Sequence, residues 1–434
     1  MTTARRGPAA LAAATAVLLT GGAAVAPAAH AAPTPSPAPV VVPSGLYGTK
    51  DPTYDGVWRQ SLAFVAQKLT QVKPAQKSVD WLLGQQCASG GFPSYRPDPA
   101  KPCDATTPLD TNATAVAVQA LAGLDKPETA DGETDPVTKA MRAATSWLKN
   151  AQNKDGGWSY NPGGPSDANS TSLVTGALSV VGVKPGDMRS ASGKNPYDAL
   201  LTFALPCDAK AGPGAFAYQP AQDGTLVAND DATAAAVLAG LGKRVPAKGV
   251  TPYQAPTCED TAKPSAERAA RNGAAHLAAV LAAKGHLDLP PMPGAASPTA
   301  PQPDIGNTAD AVVAVAAAGH GDKAAGALKW LTRNSAAWAK DGGPAAYAQL
   351  IFAAHAMEAD PRDFGGVDLV ARLNATGPTP ESTPEATPTA VEPKKDEERG
   401  EDEGINVWLM IGIFLVAGMG IGFLLSGRNK NRQP

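Results

Sequence analysis

Aromatic residues make up only 5% of this chain, and histidine occurs five times in 434 residues. Cysteine occurs four times. The cysteine spacings match no zinc pattern, and histidine is too sparse to complete one, so no metal site is expected. Basic residues are not in excess either: 37 Lys and Arg stand against 40 Asp and Glu, for a formal charge of −3. No basic stripe runs through the body, which removes nucleic acid as a partner. β-Branched residues are scarce beside alanine, and an Ala-rich chain favours helices.

The ends of the chain are distinctive. Residues 1–31 begin with Arg5 and Arg6, continue in an apolar run from Ala9 to Val25, and end on Ala29-His30-Ala31, a small-x-small cleavage pattern. This predicts a secretory signal peptide. Ile405 to Leu425 is an uncharged apolar run, long enough to cross about 30 Å of hydrocarbon. Arg428, Lys430 and Arg432 follow. The positive-inside rule places that basic tail (426–434) in the cytoplasm and the body outside. The expected localisation is a single-pass cell-membrane protein. Residues 376–404 are rich in Pro, Thr and Glu with almost no large apolar side chain, which predicts a disordered stalk. Residues 32–45 read as a shorter Pro-rich spacer. The folded body is then 46–375.

An even number of cysteines outside the cytoplasm predicts disulfides. Four cysteines allow three pairings; the nearest-neighbour one, Cys87–Cys103 with Cys207–Cys258, is expected.

Inside the body, "WLLGQQCASGGF" (81–92) and "WLKNAQNKDGGW" (147–158) are near-copies. Each ends a helical pattern. The second helix carries Val137, Met141, Ala144, Trp147 and Leu148 at helical spacing, with Pro136 in its first turn. A double glycine stops each helix. An Ala-rich, uniformly apolar stretch follows, and its start repeats: Asp110-x-Asn112-x-Thr114 matches Asp167-x-Asn169-x-Thr171. Related starts occur at Asp230, Asp231 and Thr233, and at Asn307, Thr308 and Asp310. Helices apolar all round are buried on all sides. Amphipathic and buried helices therefore alternate, about twelve in all, at 54–70, 74–86, 110–124, 136–152, 168–182, 196–205, 229–242, 265–284, 306–319, 322–335, 344–358 and 366–374. The expected fold class is all-α: six helical hairpins closing into an α/α toroid, with an open solenoid as the alternative. A stalk and one C-terminal transmembrane helix follow.

The string Trp-Leu-x-x-x-Gln-x-x-x-Gly-Gly-aromatic resembles the QW repeat of the prenyltransferase and squalene-cyclase superfamily. Trp81, Leu82, Gln86, Gly90, Gly91 and Phe92 fit it, as do Trp147, Leu148, Gln152, Gly156, Gly157 and Trp158. Degenerate copies keep Trp330 and Leu331, with Ser335 in place of Gln, and Gly214 with Phe216. The resemblance implies a double ring of helices. It also implies branch-specific chemistry that this chain departs from. The D-x-D-D acid run of the cyclases is reduced to Asn229-Asp230-Asp231, and the thioester G-C-G-E-Q run is absent. His276, His286, His320 and His355 have no cysteine beside them to build a prenyltransferase zinc site. What remains is similarity to the non-catalytic cobalamin-carrier branch, although the small β-domain usual there is missing.

The expected function is accordingly capture of a small molecule, a corrinoid such as cobalamin, or of an envelope transporter or protein, with no cofactor and no catalytic residue. The alternatives are a divergent cyclase using Asp230 and Asp231 as acids, and a structural cell-envelope protein. The candidate ligand-binding residues are Asp110, Asn112, Thr114, Asp167, Asn169, Thr171, Asp230, Asp231, Thr233, Asn307 and Asp310. Simple N-capping accounts for one such residue per helix start, and these starts carry three. Gln86, Gln152 and the motif tryptophans are assigned to structure: the glutamines to helix-end carbonyls, the tryptophans to the neighbouring repeat. The long insertion 287–304 is expected to lie near the same mouth as a lid.

Overall fold

Burial along each helix sorts the helices into the two kinds the sequence implies. The computed structural model describes residues 41–124, 134–242, 255–289 and 301–384. Among these are α1 (Gly56–Leu69), α2 (Gln76–Gly84), α3 (Thr111–Leu124), α4 (Pro136–Asn150), α5 (Ala168–Val180), α6 (Pro196–Leu201), α7 (Asp230–Leu241), α8 (Ala266–Lys284), α9 (Ile305–Ala317), α10 (Gly321–Asn334), α11 (Ala336–Gly342), α12 (Pro344–Ala356) and α13 (Leu369–Asn374). The described residues are all-α apart from one two-residue pair, β1 (Leu287–Asp288) with β2 (Pro303–Asp304), antiparallel. In α4 the buried residues are Val137, Thr138, Ala140, Ala144 and Leu148, a single stripe. In α3, α5 and α9 almost every residue is buried.

The buried helices contact one another in cyclic order. α1 packs on α3, α3 on α5, α5 on α7, α7 on α9, α9 on α12, and α12 back on α1. The amphipathic helices lie against them: α2 on α1, α4 on α3, α6 on α5, α8 on α7, α10 on α9, and α11 and α13 on α12. Alanine permits this closeness. A fully buried leucine such as Leu148 stabilises by about 1.5–3 kcal/mol, and an alanine by less. The cycle therefore relies on many close backbone approaches rather than on a few large side chains.

Twelve of these helices fall where the hydrophobic pattern places them. Two details differ. α11 is additional: the "AAWAKDG" stretch reads as a degenerate repeat end, yet it forms its own helix before Gly343. α6 ends at Leu201 rather than 205, because the following backbone leaves the helix to pair across the chain. Ala217 N donates to Phe203 O, and Leu205 N donates to Ala215 O.

The two motif strings act as joints. Gly90 and Gly156 have φ of 97° and 94°, a conformation glycine tolerates. A Cβ on Gly91 would fall 2.8 Å from the Trp147 ring, so the second string's tryptophan lies on the first string's glycine. The glutamines do not bond the helix-end carbonyls, as the sequence led us to expect. Gln86 Nε2 donates to Gly90 O (2.9 Å) and to Ala140 O of α4 (2.8 Å), and Gln152 Nε2 donates to Gly156 O (2.8 Å). The helix-end bond is made instead by Trp158, whose Nε1–H donates to Leu148 O (2.8 Å).

Both expected disulfides are present, Cys87–Cys103 and Cys207–Cys258. The boundaries of the body are wider than the sequence implied. Gln60 Nε2 donates to Gly45 O (3.1 Å), which ties the end of the spacer to α1. Residues 376–384, expected to open the stalk, run as a strap along residues 47–73. Gly48 N donates to Thr376 O (2.8 Å), Tyr47 Oη to Pro378 O (3.3 Å), and Lys73 N to Ser382 O (2.9 Å). A buried tyrosine hydroxyl and backbone amides need acceptors, and Thr376, Pro378 and Ser382 supply them. No helix among the described residues is long and apolar enough to cross a membrane. The expected signal peptide, residues 32–40 of the expected spacer, the expected stalk beyond 384, the 405–425 run, the basic tail and residues 290–300 of the expected lid lie outside the described residues.

Candidate functional site

Four of the buried helices begin with one repeated local structure. The N-cap residues are Asp110, Asp167, Asn229 and Asp304. Each side-chain oxygen accepts the amide three residues on: Ala113 N (2.8 Å), Ser170 N (2.6 Å), Ala232 N (2.8 Å) and Asn307 N (3.0 Å). Four residues after each cap stands a threonine. Its hydroxyl accepts from the backbone of the residue that follows the preceding turn: Thr114 from Phe92 N (2.8 Å), Thr171 from Trp158 N (3.0 Å), Thr233 from Phe216 N (2.8 Å), and Thr308 from Leu287 N (2.9 Å). Thr114, Thr233 and Thr308 also donate back to the cap carbonyl. All four threonines are fully buried. The cap and the threonine together hold each buried helix against the glycine turn before it.

Those bonds occupy Asp110, Thr114, Asp167, Thr171 and Thr233 structurally. Asp230 is occupied too, with His276 Nε2 at 2.8 Å from its Oδ1. The remaining candidates form a second layer. Asn169 Nδ2 donates to Asp231 Oδ2 (2.6 Å), joining α5 to α7. Gln349 Nε2 donates to Asp310 Oδ2 (3.1 Å), joining α12 to α9. Asn307 Nδ2 folds back on Asp304 Oδ2 (2.7 Å). After these bonds Asn112, Asn169, Asp231 and Asn307 each keep one side-chain oxygen, Oδ1, buried and without a donor. All four residues are at least nine-tenths buried. Gln119, seven residues beyond Asn112 and so on the same face of α3, has neither amide atom paired. Unpaired buried polar atoms are costly, at about 1–3 kcal/mol each.

Carboxyl groups crowd the same end. Burial pushes the Asp231 carboxyl up to about 7 against its bond from Asn169, and Asp304, Asp167 and Asp230 add repulsion. Burial also holds Asp310 well above the usual carboxylate range, and Asp231 and Asp304 push it further. Asp167 is raised to about 6, and Asp110 and Asp304 are raised as well, in each case chiefly by burial. Asp55, which precedes α1 in a left-handed conformation (φ 52°), is raised to about 6 by burial and by Asp110, with Arg59 opposing. The shifts all run one way, so these carboxyls hold their protons to higher pH than free carboxyls do, beside amide oxygens that remain acceptors. No cluster of three metal-ligating side chains occurs among the described residues.

Asp304, Gln349 and Asp55 belong to this end and escaped the sequence reading. Asp304 was legible in principle, because Thr308 stands four residues after it, as Thr114 does after Asp110. Gln349 and Asp55 carry no such signal. No protein-family model matches this chain, and no curated protein matches its sequence.

Proposed function

We propose that this chain is a membrane-anchored, extracytoplasmic binding protein built on an α/α toroid. In this reading the mouth at the starts of its buried helices takes a small molecule. The observation that carries the reading is the set of unpaired buried oxygens on Asn112, Asn169, Asp231 and Asn307. A ligand that supplies N–H or O–H donors relieves their desolvation cost. A corrinoid, fringed with carboxamide groups, is the first candidate, in keeping with the carrier branch that the repeat strings resemble. The cyclic helix contacts support the toroid. The two disulfides support an oxidising compartment, and the apolar run 405–425 supports the anchor.

Equilibrium dialysis of the full-length protein in detergent against cobalamin tests this. Wild type should retain ligand, and Asn169→Leu should retain at least about tenfold less, the equivalent of one lost buried bond. No retention at about 1 mM cobalamin rules out a corrinoid, and retention unchanged by Asn169→Leu removes the mouth as the site.

One observation favours a second reading, a divergent cyclase. Asp231 is buried and holds its proton to about pH 7, as a general acid must. Turnover of a polyprenyl substrate by wild type but not by the Asp230→Asn/Asp231→Asn variant would establish it. Equal inactivity of both ends it.

A further inference from the structure

A separate cavity of about 500 Å³ lies where the two ends of the described chain meet. Its walls come from the segment before α1, the first turn of α1, the α11–α12 junction, and Ala375 and Thr376 at the start of the strap. The size is that of a small-molecule site.

Some donors of the wall lack partners. Trp58 lines the cavity and is 7% exposed, and its indole N–H has no partner. The start of α12 opens onto the same space. Its N-cap is Gly343, which has no side chain to accept the first-turn amides, and Pro344 at the first position has no N–H. The amides of Ala345 and Ala346 therefore meet no capping side chain, unlike their counterparts in α3, α5, α7 and α9, and the helix bonds begin with Tyr347 N donating to Gly343 O (3.1 Å). The positive end of the α12 dipole adds to this. Lys340 stands exposed at the rim. Three acids share the wall. Asp51 is held by Thr53 N and Oγ1, and Asp341 is exposed. Asp55 faces Arg59, whose guanidinium also donates to the carbonyls of Tyr47, Asp51 and Tyr54. Thr49, Lys50, Tyr54 and Thr376 also line the cavity, and its apolar part is the Trp58 ring, Pro344, Ala345 and Ala375.

We propose that this cavity binds a small monocarboxylate with an apolar body. The carboxylate accepts from Trp58 Nε1 and from the first amides of α12, with Lys340 nearby, and the body lies against Trp58 and Pro344. This site is distinct from the mouth and does not depend on the corrinoid reading.

The test uses the full-length protein in detergent, with 5-fluorotryptophan at its seven tryptophans. Fluorine NMR resolves them, and Trp58→Phe assigns the Trp58 signal by its loss. Hexanoate should shift that signal saturably, with a midpoint at or below about 1 mM. Hexanamide and hexylamine should not. Ligand-observed saturation transfer should show hexanoate binding weakened about tenfold in Trp58→Phe and severalfold in Lys340→Gln. The six other fluorine signals report that both variants stay folded. No saturable shift at about 10 mM hexanoate, an equal shift with hexanamide, or undiminished binding in Trp58→Phe overturns the proposal.

Discussion

Replacing Asp231 by Asn should stabilise this protein, and chiefly at high pH. Asp231 is 4% exposed, and its carboxyl titrates near 7 against 3.8 in an ordinary environment. The folded state therefore holds the proton more tightly than the unfolded state. Stability from this group is highest below about pH 4, falls as pH rises through about 7, and is level above that. A shift of about three units corresponds to about 4 kcal/mol at most, at 1.36 kcal/mol per unit. Asparagine has the same shape, keeps an oxygen to accept from Asn169 Nδ2, and cannot ionise. The variant should exceed wild type by only about 1 kcal/mol at pH 4.5 and by about 2–4 kcal/mol at pH 8.5. With an unfolding entropy of about 2.1 cal/mol/K per residue, that is roughly 3–6 °C in Tm for a body of this size. Asp55, Asp110, Asp167, Asp304 and Asp310 are shifted in the same direction, so wild type itself should lose stability between pH 5 and 8. His320 and His355, lowered by burial, oppose this as pH falls below about 6.5. Thermal unfolding of the full-length protein, followed by circular dichroism across that range, reads both effects. A variant destabilised equally at pH 4.5 and 8.5 would refute the reasoning, because Asp231 would then act through packing alone.

Three further outcomes follow from the same geometry. Thr114→Val strands the buried Phe92 amide and should cost about 1–3 kcal/mol in denaturant unfolding. Gly156→Ala should cost at least about 2 kcal/mol by the same measurement, since φ is 94° and the new Cβ would sit 2.2 Å from Asn195 O. Breaking Cys207–Cys258 should destabilise more than breaking Cys87–Cys103, by about 4 against about 3 kcal/mol, because the sequence separations are 51 and 16. Paired Cys→Ser variants, compared by chemical denaturation, check the order.

Helix positions were legible because alanine-rich and amphipathic stretches alternate so plainly, whereas the glycine pairs do not stop the helices as expected: α2 ends at Gly84 and α4 at Asn150, before Gly90-Gly91 and Gly156-Gly157, which form the turn that follows. The two strong strings revealed the joint, though not its wiring. Gln86 and Gln152 reach the glycine carbonyls, and Trp158 takes the helix end. The third and fourth copies were harder to read. Thr233 and Thr308 repeat the bond that Thr114 makes, yet their partners are the backbones of Phe216 and Leu287. A backbone donor constrains the side chain it belongs to only weakly, so the string can decay while the joint persists. The same holds at the starts of the buried helices. The caps Asp110 and Asp167 were readable from local spacing, whereas Asn169–Asp231 and Gln349–Asp310 join residues 62 and 39 positions apart. Such pairs exist only once tertiary packing has brought α5 to α7 and α12 to α9.

Amide hydrogen exchange on the full-length protein, with and without cobalamin, tests the central claim most directly. The account predicts slowed exchange at 110–114, 167–171, 229–233 and 304–308, the helix starts that bear the unpaired oxygens. Unchanged exchange at all four starts, or protection confined to other parts of the body, would contradict it.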